Sequence, residues 1–190
     1  MTTQRLLLPA FAALVLAGCT TKNQSSYLEI LGVFPPVPNA PKAGVPDSCS
    51  PADTELSFIP VNPAQSQGVA YVNMTNTLAS NVSVPDNRLN TNDFIAHQAV
   101  INYEVIGNGT LPQQIVPVSG VVPVTTTRKL SFTFFPLKGG APTAPSTDGQ
   151  TIRASFHIEG HLVDGSSVRT NEYEYLFVIC TKDKCGGTCG

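Results

Sequence analysis

The sequence predicts an all-β fold, an antiparallel β-sandwich of about seven strands. From about residue 53 onwards, apolar and polar residues alternate with a period of two, and turn-forming residues separate the alternating runs. Only 13% of the residues are charged, while 16 prolines and 15 glycines favour short strands and turns over long surface helices. Seven short strands in about 130 residues are the pattern of a sandwich.

Seven segments have the strand pattern: TELSFI (54–59), GVAYVNMTNTL (68–78), DFIAHQAVINYEVI (93–106), QIVPVSGVVPV (114–124), KLSFTFFPL (129–137), TIRASFHIEGHLVDG (151–165) and SVRTNEYEYLFVIC (167–180). The sixth segment alternates most clearly. Its expected core face carries Ile152, Ala154, Phe156, Ile158 and Leu162. Its expected wet face carries Arg153, Ser155, His157, Glu159 and His161.

A tight hairpin is predicted at Asp164-Gly165, two residue types that tolerate a positive φ. Prolines 117, 123 and 136 predict that the fourth strand and the end of the fifth lie at a sheet edge or carry a bulge. Apolar burial at about 25 cal/mol per Å² makes the predicted core ample for one sandwich. That core consists of Phe58, Val72, Met74, Ile101, Tyr103, Leu130, Phe132, Phe134, Phe156, Ile158, Tyr175 and Phe177.

The first 18 residues have the features of a secretory signal peptide. A short polar start with Arg5 precedes the apolar run LLLPAFAALVLAG, which is 13 residues long. This run is shorter than the roughly 20 residues that a transmembrane helix needs. No later segment supplies 18 consecutive apolar residues, so we expect a mature protein without a transmembrane helix.

The apolar run ends in Leu16-Ala17-Gly18-Cys19, which resembles the bacterial lipobox. The resemblance implies cleavage after Gly18, diacylglycerol on the Cys19 sulfur and acylation of the new amino terminus, with palmitate among the chains. One acyl chain anchors only marginally at about 0.8 kcal/mol per buried methylene, so several chains are expected. Thr20 stands where an Asp would retain a lipoprotein in the inner membrane, which by resemblance favours the cell outer membrane. The alternative is an ordinary leader that is cut elsewhere.

Residues 19–50 are predicted to be the lipidated amino terminus and a proline-rich tether. Five prolines between residues 35 and 46 favour a polyproline II spacer at about 3.1 Å per residue. The stretch YLEILGVF (27–34) is too apolar for a free linker, so we expect it to pack on the domain or on the membrane. The alternative for the proline run is a loop wrapped on the domain. The predicted division is a signal peptide (1–18), a tether (19–50), a β-sandwich (51–180) and a Cys/Gly-rich tail (181–190).

Without Cys19, the chain retains four cysteines: Cys49, Cys180, Cys185 and Cys189. An exported chain meets an oxidising compartment, so two disulfides are expected, with three pairings open. We expect one bridge inside the tail and one from Cys49 to the tail. The alternative is a metal site in CTKDKCGGTC; against it, zinc sites generally use a C-x2-C knuckle, and no histidine lies nearby in sequence.

The three histidines are an alternative metal site, composed of His97, His157 and His161. In a strand, His157 and His161 share a face but lie about 13 Å apart, too far to chelate one metal ion. We therefore expect all three to be solvated or to lie at the edge of the core. No cofactor is predicted.

Charge and motif content argue against two classes of function. The formal net charge of −2 provides no basic field that would hold nucleic acid. The chain lacks a G-x-S-x-G nucleophile elbow, and its glycine turns do not precede a helix as a phosphate loop requires. We expect the carboxylates of Glu159, Glu172 and Glu174 to be solvated. No catalytic residue and no enzymatic activity are predicted.

The lipobox, the tether, NRLNTNDFIAHQAVINYEV and YEYLFVICTKDKCGGTC together resemble uncharacterised lipoproteins from myxobacteria and their relatives. The resemblance covers most of the mature chain. It implies an immunoglobulin-like sandwich with a cysteine-bearing tail, and it transfers no catalytic residue.

Two functions are compatible with these features. The first is a membrane-anchored structural or interaction module that binds an envelope protein or a surface polymer. The second is a ligand- or metal-binding domain, or an enzyme, that uses the polar face around His157, Glu159 and His161.

Overall fold

The computed structural model describes residues 27–39, 49–61, 68–80, 90–135 and 148–180. Within these ranges the chain contains eleven strands and no helix, so the predicted all-β class is confirmed. The strands are β1 (Leu28–Phe34), β2 (Pro36–Pro38), β3 (Cys49–Pro51), β4 (Ile59–Val61), β5 (Gly68–Asn76), β6 (Phe94–Val105), β7 (Gly109–Val122), β8 (Thr126–Phe135), β9 (Thr151–Leu162), β10 (Ser167–Arg169) and β11 (Tyr173–Ile179).

The strands form two main sheets and one small one. The three-stranded sheet has the order β1-β5-β8, and the larger sheet has the order β4-β11-β9-β6-β7, with β10 also paired to β9. Strands β2 and β3 form a separate ladder. The ladder between β11 and β4 is parallel, whereas the other ladders between described strands are antiparallel. The direction of successive strands therefore does not simply alternate, as a sandwich of seven antiparallel strands would require.

The two main sheets pack against each other through an aromatic core. The Phe134 ring of β8 lies 5.0 Å from the Phe156 ring of β9 at 86°, and 4.9 Å from the Phe177 ring of β11. Tyr103 of β6 donates its hydroxyl to the Phe134 carbonyl, and burial raises the pKa of this phenol well above its ordinary value. The core therefore contains edge-to-face ring pairs and buried hydrogen bonds between the sheets, among them the one from the Asn76 side-chain amide of β5 to the Val122 carbonyl of β7 at 3.1 Å.

The predicted core is confirmed except at one position. The buried members are Val72, Met74, Ile101, Tyr103, Leu130, Phe132, Phe134, Phe156, Ile158, Tyr175 and Phe177. Phe58 was expected with them but is 47% exposed. The predicted strand 54–59 is also wrong, because residues 53–58 run outside the sheets and only Ile59–Val61 forms a strand.

Residues 53–58, which we call the strap, link the two sheets through polar contacts. Glu55 Oε1 accepts hydrogen bonds from the Val33 N–H of β1 and from the Tyr173 hydroxyl of β11, both at 2.9 Å. The Tyr175 hydroxyl donates to the Leu56 carbonyl. Burial, helped by the Glu55 hydrogen bond and charge, raises the pKa of Tyr173 to about 12. These contacts hold the strap outside the ladders and leave Phe58 on the surface.

Part of the predicted tether belongs to the sandwich. Strand β1 pairs with β5 and buries Leu28, Ile30 and Val33 in the core. The expectation that YLEILGVF packs on the domain is confirmed, and the folded domain starts earlier than the predicted boundary at residue 51. Pro36–Pro38 of the predicted tether pairs with Cys49–Pro51, so these prolines lie in a ladder and not in a free polyproline II spacer. The signal peptide, residues 19–26 and 40–48 of the tether and the tail (181–190) lie outside the described residues, and Cys19, Cys185 and Cys189 lie there with them.

The predicted hairpin after β9 is confirmed, but its returning strand is interrupted. Gly165 has a φ of 90° and donates its N–H to the Leu162 carbonyl at 2.8 Å. The return begins as β10 and stops at Thr170, whose hydroxyl accepts the Ile158 N–H at 3.0 Å. Asn171 then turns to the other sheet and accepts the Ile30 N–H at 2.7 Å. Thr170 and Asn171 therefore interrupt the pairing with β9, and the chain pairs with β9 again as β11.

The expectations for the prolines and cysteines have separate outcomes. Strand β7 lies at the edge of its sheet, and its register shifts near Pro117, as predicted. Pro123 follows β7 directly, and Pro136 lies outside the described residues. Cys49 begins β3, and Cys180 directly follows β11. Which cysteines pair stays a prediction.

Candidate binding cleft

A β-bulge in β6 places two polar side chains over the outer face of the large sheet. In the ladder with β9, Ala96 faces Gly160 and Gln98 faces Glu159, so His97 is an extra residue. A bulge of this kind turns successive side chains towards the same side of the sheet. His97 and Gln98 therefore both line the same cleft.

Gly160 of β9 lets β6 approach closely at this bulge. A Cβ at residue 160 would overlap the Ile95 carbonyl oxygen and lie 2.7 Å from a ring carbon of Phe94. Phe94 is fully buried, so its ring has no room to move away. The floor of the cleft requires glycine for this steric reason, since the φ of Gly160 lies outside the positive region.

The carboxylate of Glu159 is held in place from two sides. Gln98 Nε2 donates to Glu159 Oε2 at 2.8 Å, and His157 Nε2 lies 3.2 Å from Glu159 Oε1. The Glu159 side chain is 39% exposed, whereas that of His157 is only 10% exposed. The more buried His157 therefore bonds to one carboxylate oxygen of Glu159, while the carboxylate itself stays partly exposed to solvent.

The third wall of the cleft comes from β10. Antiparallel pairing sets Ser167 opposite His161, Val168 opposite Gly160 and Arg169 opposite Glu159. The Arg169 Nε is buried and has no hydrogen-bond partner within the described part of the chain. The cavity has a volume of about 410 Å³ and is lined by His97, Gln98, Glu159, Gly160, Ser167, Val168 and Arg169, which we call the polar cleft.

His161 lies beside the polar cleft and contacts His97 across the two strands. His97 Nε2 and His161 Nδ1 are within hydrogen-bonding distance. The two ring centroids are 4.4 Å apart and the ring planes differ by 27°. The two imidazole rings are therefore close together and nearly parallel, with these two nitrogens adjacent.

The structure separates the three histidines that the sequence grouped as an alternative metal site. His97 and His161 meet, whereas His157 bonds to Glu159. The histidines were expected to be solvated or to lie at the edge of the core, and for His157 the solvated option is wrong, because this residue is only 8% exposed. In the ranges that the structure describes, no group of three or more His, Cys, Asp or Glu side chains is arranged to hold a metal ion.

The other carboxylates have different surroundings. Glu174 is exposed and lies 3.9 Å from the Arg153 guanidinium, and Arg153 also bonds to Glu104 at 2.8 Å. Glu172 is exposed as expected. This exposed group lies at the opposite end of β9 from the polar cleft.

Sequence reasoning missed Gln98, Ser167 and Arg169, although one signal pointed to the bulge. The β6 residues in the core cluster are even-numbered at Phe94 and Ala96 and odd-numbered at Ala99, Ile101 and Tyr103, although Val100 is also buried. A strand can change the parity of its buried positions only by inserting a residue. The break in parity therefore locates the bulge, but not the strand that closes the cleft.

Among the residues that the structure describes, no helix is both long enough and apolar enough to span a bilayer. A scan against protein-family models found no match, and a search of curated proteins found no similar chain.

Proposed function

We propose that this chain is a membrane-anchored lipoprotein of the cell envelope, and that its β-sandwich is a non-catalytic binding module. We propose further that the polar cleft binds a hydroxyl-rich surface polymer, a polysaccharide. The observation that supports this most is the carboxylate of Glu159, which Gln98 and His157 fix in position beside Arg169 at an open cavity.

The side chains of the cleft suit a ligand with many hydroxyl groups. A carboxylate accepts hydrogen bonds from hydroxyls, while an amide and a guanidinium donate to hydroxyl oxygens, and all three groups are planar. Glu159, Gln98 and Arg169 offer these three types of group within one cavity. Adjacent hydroxyls on a sugar ring have the donors and acceptors to satisfy them together.

The support for an envelope location comes from the leader. The run that ends in Leu16-Ala17-Gly18-Cys19 resembles a lipobox, and Thr20 favours the outer membrane by the same resemblance. Several acyl chains on Cys19 would anchor the chain durably. We propose that the anchor holds the sandwich at the membrane while the cleft binds the polymer.

The cysteines support an oxidising compartment. We propose two disulfides among Cys49, Cys180, Cys185 and Cys189, one inside the tail and one from Cys49 to the tail. Two disulfides leave the mature chain without a free thiol. A thiol assay of the unfolded, unreduced protein should therefore detect none, and one free thiol per chain would contradict this proposal.

The binding proposal is tested by titrating the purified full chain with a panel of neutral and acidic oligosaccharides, followed by NMR and calorimetry. The panel should contain a binder whose affinity falls about tenfold or more in Glu159→Gln, because hydrogen bonds to charged groups contribute about 1.5–3 kcal/mol. Glu104→Gln is the matched control, since Glu104 lies on the same sheet but pairs with Arg153. Absence of any binder, or equal losses in both variants, would refute the proposal. Shortened oligosaccharides would indicate an enzyme instead.

The anchor is tested separately by labelling cells with a palmitate analogue. The wild-type chain should carry the label and fractionate with outer membranes, whereas Cys19→Ser should lose both properties. A labelled Cys19→Ser protein would refute the lipidation site. Fractionation of the wild type with inner membranes would refute the location alone.

A further inference from the structure

The contact between His97 and His161 brings together the imidazole nitrogens of two side chains that have room to separate. His97 is exposed and His161 is partly exposed, so neither ring is forced into the contact by burial. A neutral imidazole has one N–H donor and one lone-pair acceptor, so this contact requires one nitrogen to donate to the other. A metal ion that accepts a lone pair from each of these two nitrogens can replace the proton that they share.

The backbone fixes the positions of residues 97 and 161 relative to each other. Ile95 faces His161 and Ala96 faces Gly160 in the β6–β9 ladder, so His97 projects from the bulge directly beside them. Gly160 allows these two strands to approach closely beside the rings. The imidazoles therefore come from two rigid strands rather than from loops, an arrangement that reduces the entropy lost when both bind one ligand.

The geometry points to a metal site: we propose that His97 Nε2 and His161 Nδ1 together bind one divalent transition-metal ion, Cu²⁺ most tightly. Imidazole nitrogens bind such ions at about 2.0–2.1 Å, which sets two tetrahedral ligands about 3.3 Å apart. Small rotations of the exposed His97 ring and the partly exposed His161 ring reach that separation. Imidazole is a ligand for copper, nickel and zinc, and copper forms the most stable complexes of the series.

The groups around the pair leave a bound cation with few protein ligands. Glu159 lies on the same strand as His161 and Arg169 lies opposite Glu159 on β10, so one negative and one positive group flank the pair. Within the described residues no third ligating side chain joins the pair. The remaining coordination positions are therefore filled by water or by a molecule bound in the polar cleft. Such a site exchanges its ion readily.

The test uses the full chain, purified without an affinity tag in detergent and titrated with CuSO₄, ZnCl₂ and MgCl₂. We expect one Cu²⁺ per chain, with nitrogen hyperfine structure from two imidazoles in its electron paramagnetic resonance spectrum. Zn²⁺ should bind more weakly, and Mg²⁺, which prefers oxygen ligands, should not bind. Acidification should release the ion, because protonated imidazole is not a ligand.

Two variants and one control locate the site. His97→Ala and His161→Ala should each weaken Cu²⁺ binding more than about tenfold, since loss of an outer-shell partner alone costs that much. His157→Gln should retain the ion, because His157 bonds to Glu159 and not to the pair. Thermal unfolding of each variant checks the fold, and His161→Asn replaces His161→Ala if the latter fails to fold.

A wild-type chain that binds no Cu²⁺, or a His97→Ala chain that binds it as tightly as the wild type, would overturn the metal site. Loss of the ion in His157→Gln with the fold intact would also overturn it. The titration contains no oligosaccharide, so its failure leaves the polysaccharide proposal untouched. Failure of oligosaccharide binding leaves the metal result untouched in turn.

Discussion

The bulges in β1 and β6 have the same origin but different surroundings. In β1 the register shifts at Leu31, and in β6 it shifts at His97. Around the first bulge, side chains from other segments accept hydrogen bonds from the backbone amides: Asn171 accepts the Ile30 N–H and Glu55 accepts the Val33 N–H. The second bulge instead carries polar side chains over an open cavity. The β1 bulge, whose amides are bonded to other segments, therefore connects parts of the sandwich. The β6 bulge, which has no such cover, forms part of the polar cleft.

Each bulge has a glycine beside it, and substituting these glycines gives the largest expected contrast. Gly160→Ala should lower the free energy of unfolding by about 3 kcal/mol, because the new methyl group overlaps backbone and a buried ring. Gly32→Ala should cost about 1 kcal/mol or less, because its Cβ would meet only the Glu55 carboxylate, at 2.8 Å, which can shift. Denaturant unfolding measures both. Equal losses would show that close packing does not distinguish the two bulges.

Substitutions of side chains at the two bulges should also have unequal effects on stability, with the larger loss at the β1 bulge. Glu55→Ala should lower the free energy of unfolding by about 1.5 kcal/mol, since Val33 N–H and the Tyr173 hydroxyl lose their acceptor. His97→Ala should change it by less than about 0.5 kcal/mol, because His97 is exposed. Both values come from chemical denaturation at pH 7. A larger loss for His97→Ala would assign the β6 bulge a structural role.

Alkaline pH should lower the free energy of unfolding through Tyr173, which bonds to Glu55 of the strap. The pKa of Tyr173 is raised to about 12 by burial and by Glu55, while an unfolded tyrosine ionises near 10. The unfolded chain therefore binds fewer protons above pH 10, and stability falls as the pH rises from about 10 towards 12. Burial also raises the pKa values of Tyr103 and Tyr175, which adds to the loss. Urea unfolding across this range should show a shallower decline in Tyr173→Phe, and an unchanged decline would contradict the assignment.

The smallest effect is expected at the exposed ion pair far from both bulges. Arg153→Gln removes the contact with Glu104, whose side chain is 49% exposed. Exposed pairs of this type contribute about 0–1 kcal/mol, so the change in the free energy of unfolding should be about 0.5 kcal/mol or less. Oligosaccharide and copper titrations should match those of the wild type. A loss of binding would extend the site along β9 beyond the polar cleft.

The period-two pattern predicted most strands and nearly all of the core, because burial selects apolar residues on one face of each strand. It failed for 54–59, where alternation was present but Glu55 and Leu56 bond across the sheets. The predicted start of the sandwich at residue 51 was too late, because the apolar residues of β1 pair with β5 inside it.

The candidate site was harder to predict from sequence. Glu159, His97 and His161 were singled out by residue type, but their neighbours depend on strand order and on the bulge. Arg169 came next to Glu159 only through the hairpin at Gly165 and the register of β10. Sequence alternation determines which face a side chain lies on, but it does not determine which strand lies beside it.

The hydrogen bonds on β1 also bear on self-association. This strand is an edge of the three-stranded sheet, and exposed edges recruit strands from other molecules. The Ile30 and Val33 amides already donate to Asn171 and Glu55, so an incoming strand finds no donor at these two positions. Glu55→Ala and Asn171→Ala release one amide each. Loss of either side chain should therefore shorten the lag before fibril formation in agitated, concentrated solutions.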